Sequence, residues 1–175
     1  DGVQSLEESI HIIQNLFDLG FEKIITTPHI ISDFYPNTPE IISNKLSVLK
    51  SKLNEMGINI KVEAAAEYLI DEHFISLLES ETDLLTFGDS FVLVETPFLN
   101  KPFFLEEVIF KMKAKGYQPV LAHPERYLYL QEDYGIIQEI LKTQVLLQIN
   151  LTSLVGQYSR GAQKLAEYLI DNNLI

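Results

Sequence analysis

Residues able to bind a divalent cation recur in this sequence at the ends of apolar runs. His29 closes "KIITTPH", Glu67 follows "INIKVEAAA", Glu95 closes "FVLVE", and His123 follows "PVLA". Imidazole with carboxylate is a ligand set for Zn²⁺, Mn²⁺ or Fe. Carboxylates can also bridge two ions about 3.5–4 Å apart. Each residue has a blander explanation. A lone His after a strand is commonly a hydrogen-bonded structural residue. Glu67, after three alanines, could face a helix N-terminus. Glu95, before Thr-Pro, could pair with a neighbouring cation. Such explanations fit one position better than a series on successive strand ends, and metal binding is the reading adopted. Arg126, just beyond His123, should sit on the rim of the same face, where a guanidinium fork suits phosphate or carboxylate. Pairing with a surface acid is its alternative. Arg160 is a weaker candidate of the same type. His11 and His73 fall in helical stretches and are set aside. The serines, Ser90 and Ser153 among them, form no nucleophile elbow, and neither a P-loop nor GxGxxG is present, so a covalent triad and a nucleotide cofactor are poorly supported.

A recurring unit positions these residues: an amphipathic helix ends at a glycine, and a short apolar strand follows it. Ser5 with Glu8 reads as a capping box, and Leu6, Ile10, Ile13 and Phe17 follow at helical spacing up to Gly20. Thr38 and Pro39 open a second helix, striped by Leu46, Leu49, Leu53 and Met56 and stopped at Gly57. Phe104, Leu105, Val108, Ile109 and Met112 line a third helix, stopped at Gly116. The strands between end near His29, Glu67, Glu95 and His123; "VLLQINLTSL" reads as a further strand, and "NNLI" as the start of another. Alternating helix and strand argue for parallel β in an α/β fold, with a doubly wound sheet and a barrel both open. In either, strand C-termini converge on one face, and in barrels that face carries the active site. "TPH", "ETP" and "HPE" each set a proline beside the polar residue, which stops the strand and restricts the ligand's direction.

Bulk properties narrow the function classes. The 175 residues are 46% hydrophobic, enough for a globular domain with a core. Cysteine is absent, which excludes a disulfide framework and thiolate metal sites and fits a reducing compartment. No apolar run is long enough to span a bilayer, and no signal peptide is evident, so a cytoplasmic location without membrane insertion is expected. Acidic residues outnumber basic ones 25 to 13, for a net charge of -12. That surface should repel nucleic acid and anionic lipid, and would repel a phosphorylated substrate unless cations are bound locally.

At "TPHI", "AAEY", "LVETPF", "GYQPVLAHPERY" and "TSLVGQ", with "DG" and "SLEESI" near the start, the sequence resembles the PHP (polymerase and histidinol phosphatase) superfamily. Within it, the likeness is to the capsule-type bacterial manganese-dependent protein tyrosine phosphatases of the CpsB/YwqE type. "LAHPERY" together with "VETPF" is the specific part. The resemblance implies a distorted TIM-like (β/α)₇ barrel with up to three ions at the strand C-termini. Mn²⁺ is the expected metal, with Fe, Zn and Mg as alternatives. His29, Glu67, Glu95 and His123 fall on metal-ligand positions, with His123 and Arg126 in catalytic roles and Arg126 binding the substrate phosphate. Asp1 falls in the family's Asp-Asp-Gly stretch. The family's His-x-His and Asp-x-His segments lie outside the sequence, so residues 1–175 are expected to be a single, incomplete domain lacking the first strand and the C-terminal end. The implied activity is hydrolysis of phosphotyrosine on a protein by metal-activated water. The implied substrate is a membrane-associated tyrosine kinase controlling capsular or exopolysaccharide synthesis, and a homo-oligomer is compatible with the sequence. A histidinol-phosphatase-like small-molecule phosphoesterase and a catalytically incomplete, partner-binding fragment are the competing readings.

Overall fold

The computed structural model describes residues 2–175. The strands form because short β-branched and aliphatic runs are bounded by helix-ending glycines and by prolines. β1 (Lys23–Thr26) pairs in parallel with β3 (Lys61–Ala64). β2 (His29–Ile30), β4 (Glu67–Leu69), β5 (Phe91–Glu95), β6 (Gln118–Ala122) and β7 (Leu146–Gln148) form a second parallel sheet in that order. The α/β class with parallel sheets is therefore as expected. β1 and β2 are separated by Thr27 and Pro28, and Pro28 has no N–H to donate. The ladder nonetheless continues across the break: Ala65 N–H donates to Thr26 O at 2.8 Å and Glu67 N–H to Pro28 O at 3.1 Å.

The helices are α1 (Leu6–Asp18), α2 (Pro39–Glu55), α3 (Glu72–Glu79), α4 (Leu105–Ala114), α5 (Leu128–Glu132), α6 (Gly135–Leu141) and α7 (Arg160–Asp171). The caps follow the sequence signals. Ser5 Oγ accepts from Glu8 N–H at 3.1 Å, while Glu8 reaches back to Gln4 N–H at 2.7 Å. Thr38 Oγ1 accepts from Ile41 N–H at 3.2 Å, with Pro39 at the first helical position. Gly116, at φ +88°, ends α4, and Tyr117 N–H returns to Met112 O at 3.1 Å in a Schellman-type cap.

Side-chain alternation splits the larger sheet. Ile30, Tyr68, Val92, Val94, Leu121 and Leu147 point to the main core, where Leu105, Ile109, Leu165 and Leu169 of the helices meet them. His29, Glu67, Leu93, Glu95, Val120 and Ala122 share the other face, as the register His29↔Glu67↔Leu93↔Val120 and Leu69↔Glu95 requires. Leu93, Val120 and Ala122 form a small apolar cluster there with Phe87 and Phe91. A third cluster, built on Ile10, Ile13, Leu49, Leu53 and Val62, packs α1 and α2 on the smaller sheet.

Three expectations are corrected. His29 and Glu67 do not end strands: each opens a short second strand, β2 or β4, because the strand breaks at Thr27–Pro28 and at Ala65–Ala66. Only Leu146–Gln148 of "VLLQINLTSL" is strand, and Leu151–Val155 turns into a 3₁₀ helix. "NNLI" forms no strand. Asn173 takes φ +54°, Leu174 N–H bonds back to Leu169 O at 2.9 Å, and the segment completes the cap of α7 with Leu174 against the core.

Candidate metal centre and anion site

The sheet register carries His29, Glu67 and Glu95 onto one face, and the chain after β6 turns His123 toward them. His123 sits at φ 35° and ψ 51°, a left-handed conformation uncommon for a side chain bearing Cβ. Its N–H donates to Gln148 O at 2.6 Å, and its carbonyl accepts from Arg126 N–H at 2.9 Å, closing a 3₁₀ turn over Pro124–Arg126. Pro124 at the first position of that turn makes it short and stiff. Asn37 Nδ2 donates to His29 O at 2.8 Å and holds the other edge of the site.

The four side chains converge. His123 Nε2 lies 2.8 Å from Glu67 Oε1 and 3.5 Å from Glu95 Oε2. His29 Nε2 lies 3.9 Å from Glu67 Oε2 and 3.6 Å from Glu95 Oε1. Each carboxylate thus directs one oxygen to one imidazole and its second oxygen to the other. His29, Glu67 and Glu95 each offer a donor atom within 4.8 Å of the rest. Glu67, Glu95 and His123 are buried and His29 is half-buried.

Two buried carboxylates side by side are electrostatically unfavourable. Burial, then the charge of Glu67, pushes the Glu95 carboxyl above the usual carboxylate range, and His29, His123 and Arg126 pull it partly back. Neither Glu67 nor Glu95 is salt-bridged to Lys or Arg among the described residues. The donor set therefore fits a divalent cation: nitrogen and oxygen ligands, uncompensated negative charge, and paired carboxylate oxygens able to bridge.

Arg126 is half-buried beside this group, close enough to lower the Glu95 carboxyl. Its guanidinium carbon lies 4.8 Å from the Phe98 ring centroid and 4.4 Å from that of Tyr158. Phe98 also stacks on the His123 imidazole, at 5.8 Å between centroids and 10° between planes. Arg160 is exposed at the start of α7. Asp1 lies outside the described residues. His11 and His73 are in α1 and α3, as expected.

Glu125, Asn150 and Tyr158 also build the site and were not singled out from the sequence. Glu125 is fully buried, and its Oε1 accepts from Ser153 Oγ at 2.7 Å and Asn150 N–H at 3.0 Å. Its partner atom Oε2, like His123 Nδ1, has no hydrogen-bond partner among the described residues. Tyr127 is core: its hydroxyl donates to Ala122 O at 2.9 Å and accepts from Thr96 N–H at 3.1 Å, tying together the ends of β6 and β5. The only sequence hint to Glu125 was a charge within "LAHPERY", between two residues with proposed roles. For Asn150 and Tyr158 there was none.

The fold has counterparts among known proteins. A solved structure reported among crystal structures of YwqE from Bacillus subtilis and CpsB from Streptococcus pneumoniae, described as unique metal-dependent tyrosine phosphatases, superposes with a TM-score of 0.90. It is 27% identical, and the match covers 99% of this chain and 70% of that one. The tyrosine-protein phosphatase YwqE of Bacillus subtilis is 28% identical over 100% of this chain and 69% of its own length. The tyrosine-protein phosphatase CpsB of Streptococcus agalactiae serotype V is 22% identical over 100% of this chain and 74% of its own. With residues 1–175 all matching the family described as capsular polysaccharide synthesis, CpsB/CapC, the chain belongs to that family.

Proposed function

We propose that the protein is a metal-dependent phosphatase that hydrolyses phosphotyrosine on a protein in capsule synthesis. The observation that carries this reading is the crossed geometry of Glu67 and Glu95, each offering one oxygen toward His29 and one toward His123, with the Arg126 guanidinium beside them. Membership of the CpsB/CapC family, and relatives named tyrosine-protein phosphatases, support the substrate class.

In this reading His29, Glu67, Glu95 and His123 hold the metal, manganese by likeness to the family, with up to three ions in the intact site. When bound, the metal supplies positive charge for the phosphate oxygens and activates the water that attacks phosphorus. Arg126 binds non-bridging oxygens and stabilises the charge that develops during transfer. His123 is held by β6, by its turn and by Phe98, so its ring needs no reorientation. No side-chain nucleophile is required, in keeping with a sequence without cysteine. The parallel strands are read as part of a distorted (β/α)₇ barrel, with residues 1–175 forming one domain of it. The substrate is read as a membrane-associated tyrosine kinase reached from the cytoplasm; no helix among the described residues is long and apolar enough to cross a membrane.

The test is phosphate release from a phosphotyrosine peptide by the full-length protein with manganese. Wild-type protein should turn over, and His123→Ala and Glu95→Ala should lose at least about a hundredfold in kcat/KM, the scale of a lost metal ligand or charge-stabilising group. Equal turnover by all three removes the assignment. A higher kcat/KM for histidinol phosphate than for the peptide would favour a small-molecule substrate.

A further inference from the structure

An arginine in a chain with about twice as many acidic as basic residues would ordinarily be found paired with one of them. Arg126 is not: among the described residues its side chain makes no hydrogen bond and no ion pair, and its contacts are the two rings of Phe98 and Tyr158. This has a chemical consequence. A carboxylate partner would occupy N–H donors of the guanidinium, whereas an aromatic face holds the planar group through its π cloud and leaves the donors at the edge unspent.

Tyr158 is itself anchored, although the residue is 44% exposed. Its hydroxyl accepts from Asn150 Nδ2 at 3.3 Å. The Asn150 N–H and the Ser153 hydroxyl both donate to the buried Glu125 carboxylate. The Glu125 carbonyl accepts from Gln131 Nε2 at 2.8 Å, and Gln131 packs so closely on Gly161 that a Cβ there would meet its Oε1. Residue 125 thus fixes the segment that brings Tyr158 over its own neighbour, residue 126. Phe98 lies against both the guanidinium and the His123 ring, so contacts run from Tyr158 through Arg126 and Phe98 to His123 at the metal centre.

We infer that Phe98 and Tyr158 are positioning residues that hold Arg126 as a preformed phosphate receptor with its N–H donors free, and that Tyr158 sets how tightly the phosphate is held. The inference rests on the phosphatase reading above and adds a residue from a separate segment to it. Because Tyr158 acts through Arg126 and stacks on none of the four metal-binding side chains, its loss alters phosphate affinity and KM more than kcat.

The test uses the full-length protein loaded with manganese and two readouts, calorimetric titration with inorganic phosphate and steady-state hydrolysis of a phosphotyrosine peptide. Tyr158→Leu should weaken phosphate binding and raise KM about three- to tenfold, with kcat within about twofold of wild type. Tyr158→Phe keeps the ring and gives up the Asn150 bond, and should recover most of the loss. Tyr158→Leu introduced into Arg126→Ala should have no further effect. Manganese stoichiometry should be the same in all. Wild-type phosphate affinity in Tyr158→Leu, an equal loss with and without Arg126, or a loss explained by released manganese would each overturn the inference. Wild-type protein that binds phosphate yet hydrolyses neither peptide nor small phosphoester would instead overturn the phosphatase reading, and the phosphate titrations would still decide the role of Tyr158.

Discussion

At the scale of single residues, Glu95 shows most directly that this site is built at the expense of stability. Its carboxyl is held above the usual range by burial and by Glu67. A raised folded value means that its contribution is fully present below the ordinary carboxylate pKa and is lost as pH rises through the folded value. Above the ordinary carboxylate range the metal-free protein therefore loses stability to this buried carboxyl, and Glu95→Gln removes that penalty. In the presence of a chelator, Glu95→Gln should melt higher than wild type, each kcal/mol gained appearing as about 2–4 °C for a chain of this size. The same variant should lose manganese affinity, measured by titration. A variant that melts lower when metal-free and keeps the metal would contradict both halves. Glu125 behaves oppositely. Its carboxylate accepts from two groups, so Glu125→Ala should cost about 1–3 kcal/mol in urea denaturation by leaving buried donors unpaired.

At the scale of elements, the site depends on how two neighbouring strands end. Tyr127 spans the ends of β5 and β6 through Thr96 and Ala122, and Tyr129 meets the Thr96 hydroxyl at 2.7 Å. Burial raises both phenols, Tyr127 well above its ordinary value and Tyr129 to about 12. Raised phenol values leave the fold's stability intact below the unfolded value of about 10, and that stability is lost as pH rises toward the folded values. Unfolding monitored by tyrosinate absorbance should therefore set in above about pH 10, and Tyr129→Phe should flatten the loss between about pH 10 and pH 12. An unchanged slope in that variant would place the alkaline instability elsewhere.

The elements also show what the sequence could and could not reveal. Helices α1, α2 and α4 were legible because cap residues, apolar spacing and terminal glycines all agree. His29, Glu95 and His123 were legible because each follows a short apolar run, although His29, like Glu67, opens a new short strand after a break. The break that makes Glu67 open β4 was not, since "AAAEY" carries no turn residue and the interruption is fixed by pairing with the strand broken at Pro28. "NNLI" has strand-like residues, yet a left-handed Asn173 and the α7 cap take it. Tyr158 meets Arg126, and Asn150 meets Glu125, only through tertiary packing, which no local pattern encodes.

At the scale of the whole molecule, the net charge of -12 opposes an anionic substrate at long range, while the cationic features of the site act at short range. Salt screens the first more than the second, since the Debye length is about 30 Å at 0.01 M and about 8 Å at 0.15 M ionic strength. For an acidic phosphopeptide, kcat/KM should rise across that interval, in contrast to the fall expected of a positively steered enzyme. The central claim is that the crossed carboxylates of Glu67 and Glu95 form a metal centre with His29 and His123. Anomalous scattering at the manganese edge, from crystals grown with manganese, tests it most directly. The account predicts at least one peak within coordination distance of both carboxylates and of His29 or His123; crystals with manganese bound elsewhere and none among these four residues would contradict it.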